Sequence, residues 1–356
     1  MSHSLDGSFR PAGWLRSPHV QSMLASSGLR RAIRLRSDPA FVDSGTRRLV
    51  ETGEGVRLQA FVHPPRDGRP RGRVVVLHGW EGSHRSGYVV SASLAARAAG
   101  WEVVRLDLRD HGETHHLNGE PFHSARLREV LDASVVLAEE ARDRPFALVG
   151  FSLGGNFVVR VAARWPRGGA PLAQAVAVSP VLDPRDAVRA MKRGLRIYRE
   201  YFLYKWARSI RRKEAAFPGT MPAEEALALR DLDERTAFLI EASGEFPSLD
   251  AYYDAYTLNS DWFGSIDVPL EAWTATDDPV IPVDGWERLR LPASVRLVRM
   301  RYGGHCGFVD RPGAPSAVDR RLVALLSEVA DPGAGGEGRT DQPPPSRSIE
   351  GVPSAG

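Results

Sequence analysis

The amino-acid sequence predicts an α/β protein: a mostly parallel central sheet with helices on both faces and a helical insertion. Three observations predict it. Short β-branched runs recur between stretches of helical length from residue 73 to residue 178. That alternation lapses over residues 183–262, and strand-like runs resume at residue 269. Buried apolar strands separated by amphipathic helices belong to parallel sheets, whose crossover helices cover both faces.

Residues 1–47, mixed and punctuated by Pro, Gly and Ser, read as an irregular N-terminal arm. The first part of the core spans 48–182. Residues 48–51 and 56–62 alternate as half-buried strands do, and 52–55 supply a turn between them. Four buried strands are expected at 73–78, 103–107, 146–150 and 173–178, with helices over 88–99 and 127–142. The insertion, 183–262, reads as mostly helical, rich in aromatics and charges. The second part of the core, 263–330, carries strand-like runs at 269–273 and 295–299 and a last helix over 315–329. The final segment, 331–356, is rich in Gly, Pro and Ser, with almost no apolar side chains, and is expected to be disordered.

The 356 residues hold 47 Lys+Arg against 44 Asp+Glu, a net charge of +3. So small an excess argues against a protein that coats nucleic acid. The one cysteine, Cys306, excludes an internal disulfide framework and a cysteine-rich zinc module. A reducing compartment suits it. Arg10 and Pro11 interrupt any secretory signal, and no apolar run reaches the ~18 residues of a membrane span, so a cytoplasmic location is the expectation. No cofactor and no metal are expected.

The chemistry is expected at Gly150-Phe151-Ser152-Leu153-Gly154-Gly155, which contains the one Gly-x-Ser-x-Gly of the chain. A strand precedes it and a helix over 156–164 follows, the setting of an elbow that presents a serine Oγ above a sheet. A serine hydroxyl is a poor nucleophile and needs a positioned base, itself oriented by an acid. His305, in Tyr302-Gly303-Gly304-His305-Cys306-Gly307, is the single histidine downstream of Ser152. Asp277 and Asp278 share the loop after the strand at 269–273. Asp278, followed by Pro and two aliphatics, is favoured as the acid, and Asp277 is the alternative. An oxyanion hole needs two backbone N–H groups. Leu153 and Trp80 are the candidates, the latter in His78-Gly79-Trp80-Glu81-Gly82, where His78 is expected to tie down the turn. Cys306 reads as small loop packing, because neighbours in sequence point apart and cannot pair as nucleophile and base.

Together these residues resemble the α/β-hydrolase superfamily. Phe9-Arg10-Pro11 with Leu15-Arg16-Ser17-Pro18-His19-Val20-Gln21-Ser22 is similar to the N-terminal signature of the YheT-like hydrolases. That family also carries an oxyanion loop like 78–83, an elbow like 150–155 and a Gly-Gly-His loop. The resemblance covers residues 9 to about 329. It implies an α/β-hydrolase fold and a Ser-His-Asp carboxylic ester hydrolase acting through an acyl-enzyme, with acyl or lipid esters as substrates. The sequence departs at Arg109-Asp110-His111-Gly112-Glu113-Thr114, where many relatives have an Arg-Gly-Cys-Ser-Gly type of loop, so their substrates do not transfer.

An acyltransferase or peptidase on the same scaffold is the alternative, as is a non-catalytic binding protein, because a fold does not fix the acceptor. His111, His115, His116 and His123 crowd one segment with Asp110 and Glu113, yet their spacing matches no compact metal motif, and they read as a polar loop. Residues 185–213, from Arg185 to Lys213, carry eleven Lys/Arg against Asp186 and Glu200, a local +9 that leaves −6 for the remainder. Tyr198, Tyr201, Phe202, Tyr204 and Trp206 are interleaved with them. The stretch is expected to be a lid helix covering the active site, with peripheral contact to an anionic membrane surface as an addition.

Overall fold

Two serines of the N-terminal arm turn out to be helix N-caps, one of them followed by a proline at the first helical position. In the computed structural model, which describes residues 9–332, Ser17 precedes α1 (Pro18–Ser26) and accepts the Val20 N–H at 3.5 Å. Ser27 caps α2 (Gly28–Arg34) through the Arg30 N–H at 3.0 Å. The expectation of an irregular arm is thereby corrected: a capping hydroxyl and a proline at the first helical position mark helix starts as readily as loops. The segment expected to be disordered, 331–356, lies outside the described residues but for its first two.

A hairpin of β1 (Thr46–Glu51) and β2 (Arg57–His63) comes next. The parallel part follows as β3 (Arg73–Leu77), α3 (Gly87–Ala98), β4 (Glu102–Asp107), α4 (Leu127–Glu139), β5 (Phe146–Phe151), α5 (Leu153–Ala163) and β6 (Leu172–Val178). The insertion contains α6 (Pro184–Arg193), α7 (Arg196–Ala216), α8 (Ala223–Ala228), α9 (Leu232–Ser243), α10 (Leu249–Asp254) and α11 (Ser260–Gly264). The chain then returns through β7 (Leu270–Ala275) and β8 (Val295–Met300) to α12 (Ala317–Ala330). One eight-stranded sheet results, ordered β1-β2-β4-β3-β5-β6-β7-β8, parallel except that β2 runs antiparallel to β1 and β4. No helix among the described residues is long and apolar enough to cross a membrane.

Alternation along the strands builds two cores. In β3, Val75 and Leu77 pack with Val130 and Leu137 of α4 and Phe157 of α5. Val74 and Val76 point the other way, to Val89 and Ala92 of α3 and Leu322 and Leu326 of α12. Every residue of β3 and β5 is buried, and each Val, Leu or Phe side chain among them contributes about 1.5–3 kcal/mol relative to exposure. The loops after β3, β5, β7 and β8 therefore leave a rigid platform.

Candidate active site

Ser152 stands between the last residue of β5 and the first of α5, at φ 54° and ψ −118°. A non-glycine residue in this region stores about 1–3 kcal/mol of strain. The surroundings hold it there: its N–H donates to the Val178 carbonyl at 2.8 Å, and its own carbonyl accepts from Asn156 at 3.0 Å. Gly154 lets α5 begin this close to β3, since a Cβ there would lie 2.5 Å from the His78 carbonyl oxygen.

The loops after β7 and β8 bring Asp278 and His305 together. His305 Nδ1 lies 3.0 Å from Asp278 Oδ2, with the carboxylate fully buried and the imidazole side chain 13% exposed. Asp278 Oδ1 also accepts the N–H groups of Val280 and Ile281 at 2.8 and 3.0 Å, which fixes its orientation. Burial opposes a charge on His305, but the Asp278 carboxylate outweighs it and holds the imidazole pKa well above the usual histidine value. Asp277 does something different. It accepts the Gly304 N–H at 2.8 Å and so shapes the loop that carries His305. Among the described residues no hydrogen bond joins Ser152 Oγ to His305. Their loops meet at the end of β6, where Cys306 Sγ lies 3.9 Å from the same Val178 carbonyl that Ser152 engages.

The loop of the oxyanion candidate Trp80 leans against the elbow, and a Cβ on Gly79 would be 3.0 Å from Ser152 Cβ. Leu108 donates its N–H to His78 Nε2 at 3.1 Å, so the proton sits on Nδ1 and goes to the Gly79 carbonyl at 2.7 Å. Burial pushes the His78 pKa down, and this neutral imidazole is a fixed brace for the turn. Neither the N–H of Trp80 nor that of Leu153 has a hydrogen-bond partner among the described residues. The first residue of a helix has none to offer within the helix.

Sequence reading missed the braces around this site. Tyr88 of α3 accepts the Gly79 N–H on its hydroxyl at 3.1 Å. Ser22 of α1 accepts the His305 N–H at 2.8 Å, while Gln21 receives the Val309 N–H at 2.8 Å and donates to the Val309 carbonyl at 2.8 Å. Gly304, at φ 51°, must be glycine here, because a Cβ would lie 2.3 Å from the Pro18 carbonyl oxygen. The N-terminal signature thus clamps the His305 loop. The motif was visible in sequence, but its target lay nearly three hundred positions away.

Ser152, Leu153 and Trp80 line a cavity of 670 Å³ roofed by the insertion. Its walls are apolar: Met191 of α6, Phe202, Trp206 and Ile210 of α7, and Leu232 and Ile240 of α9. The Trp80 ring stacks on Phe202 at 5.3 Å and meets Trp206 edge-on at the same separation. One end is polar. Burial pushes the Glu81 carboxyl up to about 7 against the pull of Lys205, and Lys213 meets Asp110 at 3.0 Å.

The histidines after β4 are dispersed. His111 turns to the Arg109 carbonyl, His115 to Ser209 and His123 to Glu245. Among the described residues no three His, Cys, Asp or Glu side chains are grouped to hold a metal ion. The basic stretch is also less free than its charge suggests. Arg185, Arg189, Lys192, Arg196, Arg199 and Lys213 are all paired with carboxylates.

Comparison with known proteins places the chain among relatives of this architecture. The family described as the alpha/beta hydrolase fold matches residues 72–312. The candidate esterase YheT of Escherichia coli (strain K12) is 29% identical over 318 residues, covering 86% of this chain and 88% of the relative. An abhydrolase domain-containing protein of Dictyostelium discoideum is 24% identical over 72% of this chain and 67% of its own length. A solved esterase of Pyrococcus furiosus superposes with a TM-score of 0.53 at 14% identity, covering 82% of this chain and 95% of that one. The structural likeness extends to the fold alone.

Proposed function

Since the chain belongs to the alpha/beta hydrolase family, in its YheT-like branch, and is a hydrolase with esterase-type relatives, we propose that it cleaves carboxylic esters through Ser152, His305 and Asp278. The observation that carries this reading is Ser152 at positive φ, lining an apolar cavity beside two backbone N–H groups without partners among the described residues. In the proposed reaction His305 takes the Ser152 proton as Oγ bonds to the acyl carbonyl carbon. The carbonyl oxygen gains the negative charge and receives hydrogen bonds from Trp80 and Leu153. His305 then passes its proton to the departing alkoxide, leaving an acyl-enzyme and a free alcohol. Water, deprotonated by His305, attacks the acyl carbon; the bond to Ser152 Oγ then breaks, His305 returns its proton to Oγ, and the acid leaves. Asp278 keeps the imidazole in the productive tautomer and balances its charge throughout. The apolar walls suit the acyl portion, and the end near Glu81 and Lys213 suits a more polar alcohol.

Ser152→Ala tests the reading with p-nitrophenyl esters of graded chain length and a fluorophosphonate label. The variant should lose at least about 10⁴-fold in kcat and all labelling, with an unchanged circular dichroism spectrum and melting temperature. Turnover that survives the substitution would remove Ser152 as nucleophile.

A further inference from the structure

The outer face of α7 is unexplained by the cavity it covers. Phe202, Trp206 and Ile210 turn inward. Ile197, Tyr201 and Tyr204, at successive helical turns, form a second apolar stripe in solvent, 58%, 47% and 65% exposed. Leu195, just before the helix, is 48% exposed. The surface continues onto α1: His19 Nδ1 lies 3.0 Å from the Tyr198 hydroxyl, and Met23, one turn beyond His19, is 48% exposed. A helix apolar on two faces has two partners, and the cavity accounts for one.

The charges beside the stripe identify the other. Arg208 and Arg211 extend its line toward the helix C-terminus, and Arg193 stands before its start; all three are exposed. Unlike most cations of this stretch, none of them has a carboxylate partner among the described residues. We propose that this stripe docks on an anionic phospholipid surface. Leu195, Ile197, Tyr201 and Tyr204 enter at headgroup level, and Arg193, Arg208 and Arg211 meet the lipid phosphates. Tyrosine suits that boundary, with an apolar ring and a hydroxyl that stays wet, and arginine stems cover apolar surface while their heads reach phosphate. A second copy of this chain fits less well, since a two-fold contact would set unpaired guanidinium groups against their own copies. Docked in this way, α7 lies between the lipid surface and the cavity of Ser152. The docking itself does not depend on the ester-cleaving reading.

Vesicle flotation of the full chain tests it, with phosphatidylcholine alone and with about 30% phosphatidylserine, at about 0.1 and about 0.5 M salt. Binding is expected with the anionic vesicles only, and weaker at high salt. Ile197→Ser with Tyr204→Ser, and separately Arg208→Gln with Arg211→Gln, should each lower binding by about tenfold. Turnover of a soluble short-chain ester should stay at the wild-type level in both, which also reports an intact fold. Equal binding to neutral and anionic vesicles, no binding, or binding untouched by both variants would overturn the proposal. So would a concentration-dependent dimer dissolved by the same substitutions, which would assign the stripe to a second copy. Ser152→Ala should float like the wild type, so a failure of the hydrolytic reading shows separately, as ester turnover that is absent while flotation persists.

Discussion

The sheet and the insertion are held together in different ways. In β3 and β5 every residue is buried, and apart from Arg73 the load is shared among many apolar contacts. The insertion buries little per helix: Leu203, Ile210 and Lys213 in α7, and Leu232, Arg235 and Ile240 in α9. Its small apolar clusters are supplemented by long cations that reach across it. Arg235 donates to the carbonyls of Ala226 and Leu203 at 3.0 and 3.3 Å and to that of Leu229. Lys213 reaches out to Asp110 at 3.0 Å and to the carbonyls of Asn118 and Glu120. A framework of many small contacts fixes the proposed reacting groups, while a roof pinned at a few polar points shapes the cavity. The two regions should therefore fail differently: substitutions at the platform's loops should change the chemistry, and substitutions at the roof's pins should change substrate binding and stability.

The largest effect is expected on the platform. Asp278→Asn removes the charge that orients His305 while leaving an oxygen for the Val280 and Ile281 N–H groups, so the loop should persist. A loss of about 10⁴ in kcat is expected, with KM little changed. Asp277→Asn keeps an oxygen acceptor for Gly304 and should cost less than about tenfold. Steady-state kinetics on the two variants side by side decide the matter. Equal losses would mean that the carboxylates act as a unit rather than as orienter and loop brace.

The roof offers the next largest. The Lys213 side chain is 1% exposed and that of Asp110 6%. Burial disfavours the charge of each, lowering the lysine and raising the aspartate, and their mutual attraction opposes this. Lys213→Met leaves Asp110 buried without its partner, which should cost about 3 kcal/mol of stability. Urea unfolding measures that loss. Because α7 lines the cavity, KM for long-chain esters should rise more than kcat falls. A fall in kcat at constant KM would show that the insertion supports the chemistry directly, and the contrast between the regions would weaken.

The same contrast governs what could be read from sequence. β-branched runs and a Gly-x-Ser-x-Gly after one of them are local signals, and they located β3, β5 and Ser152 to within a residue. Asp278 and His305 were legible as a pair because both follow strands of one parallel sheet, whose loops collect at one end. The braces were not legible. Ser22 to His305, Tyr88 to Gly79 and Lys213 to Asp110 are single long-range contacts with no periodicity to announce them. The arm misled for a related reason: Ser17-Pro18 and Ser27-Gly28 look alike as loop and as helix start until their hydrogen bonds are known. Net charge was incomplete in another way, since +9 over 185–213 says nothing of which cations are already paired.

The smallest effect, and the one that separates the two regions by sign, is their response to pH. At the roof's edge burial pushes His115 and His123 down to about 4, aided by Arg212 and by Arg126 respectively. These imidazoles stay neutral in the fold, so their contribution to stability is full above the ordinary histidine value of about 6.5 and declines as pH falls toward 4. His305 runs the opposite way. Its folded pKa lies above the unfolded value, so its contribution is full below about 6.5 and is lost as pH rises through the folded pKa. A general base must be neutral, so kcat/KM should rise with pH through that same raised pKa, as the His305–Asp278 contribution to stability falls. Asp278→Asn leaves the burial and removes the carboxylate, and the rising limb of its residual activity should move to lower pH. A limb that stays in place would separate the titrating group from Asp278, whereas a shift identifies it as His305 in a way that loss of kcat alone does not.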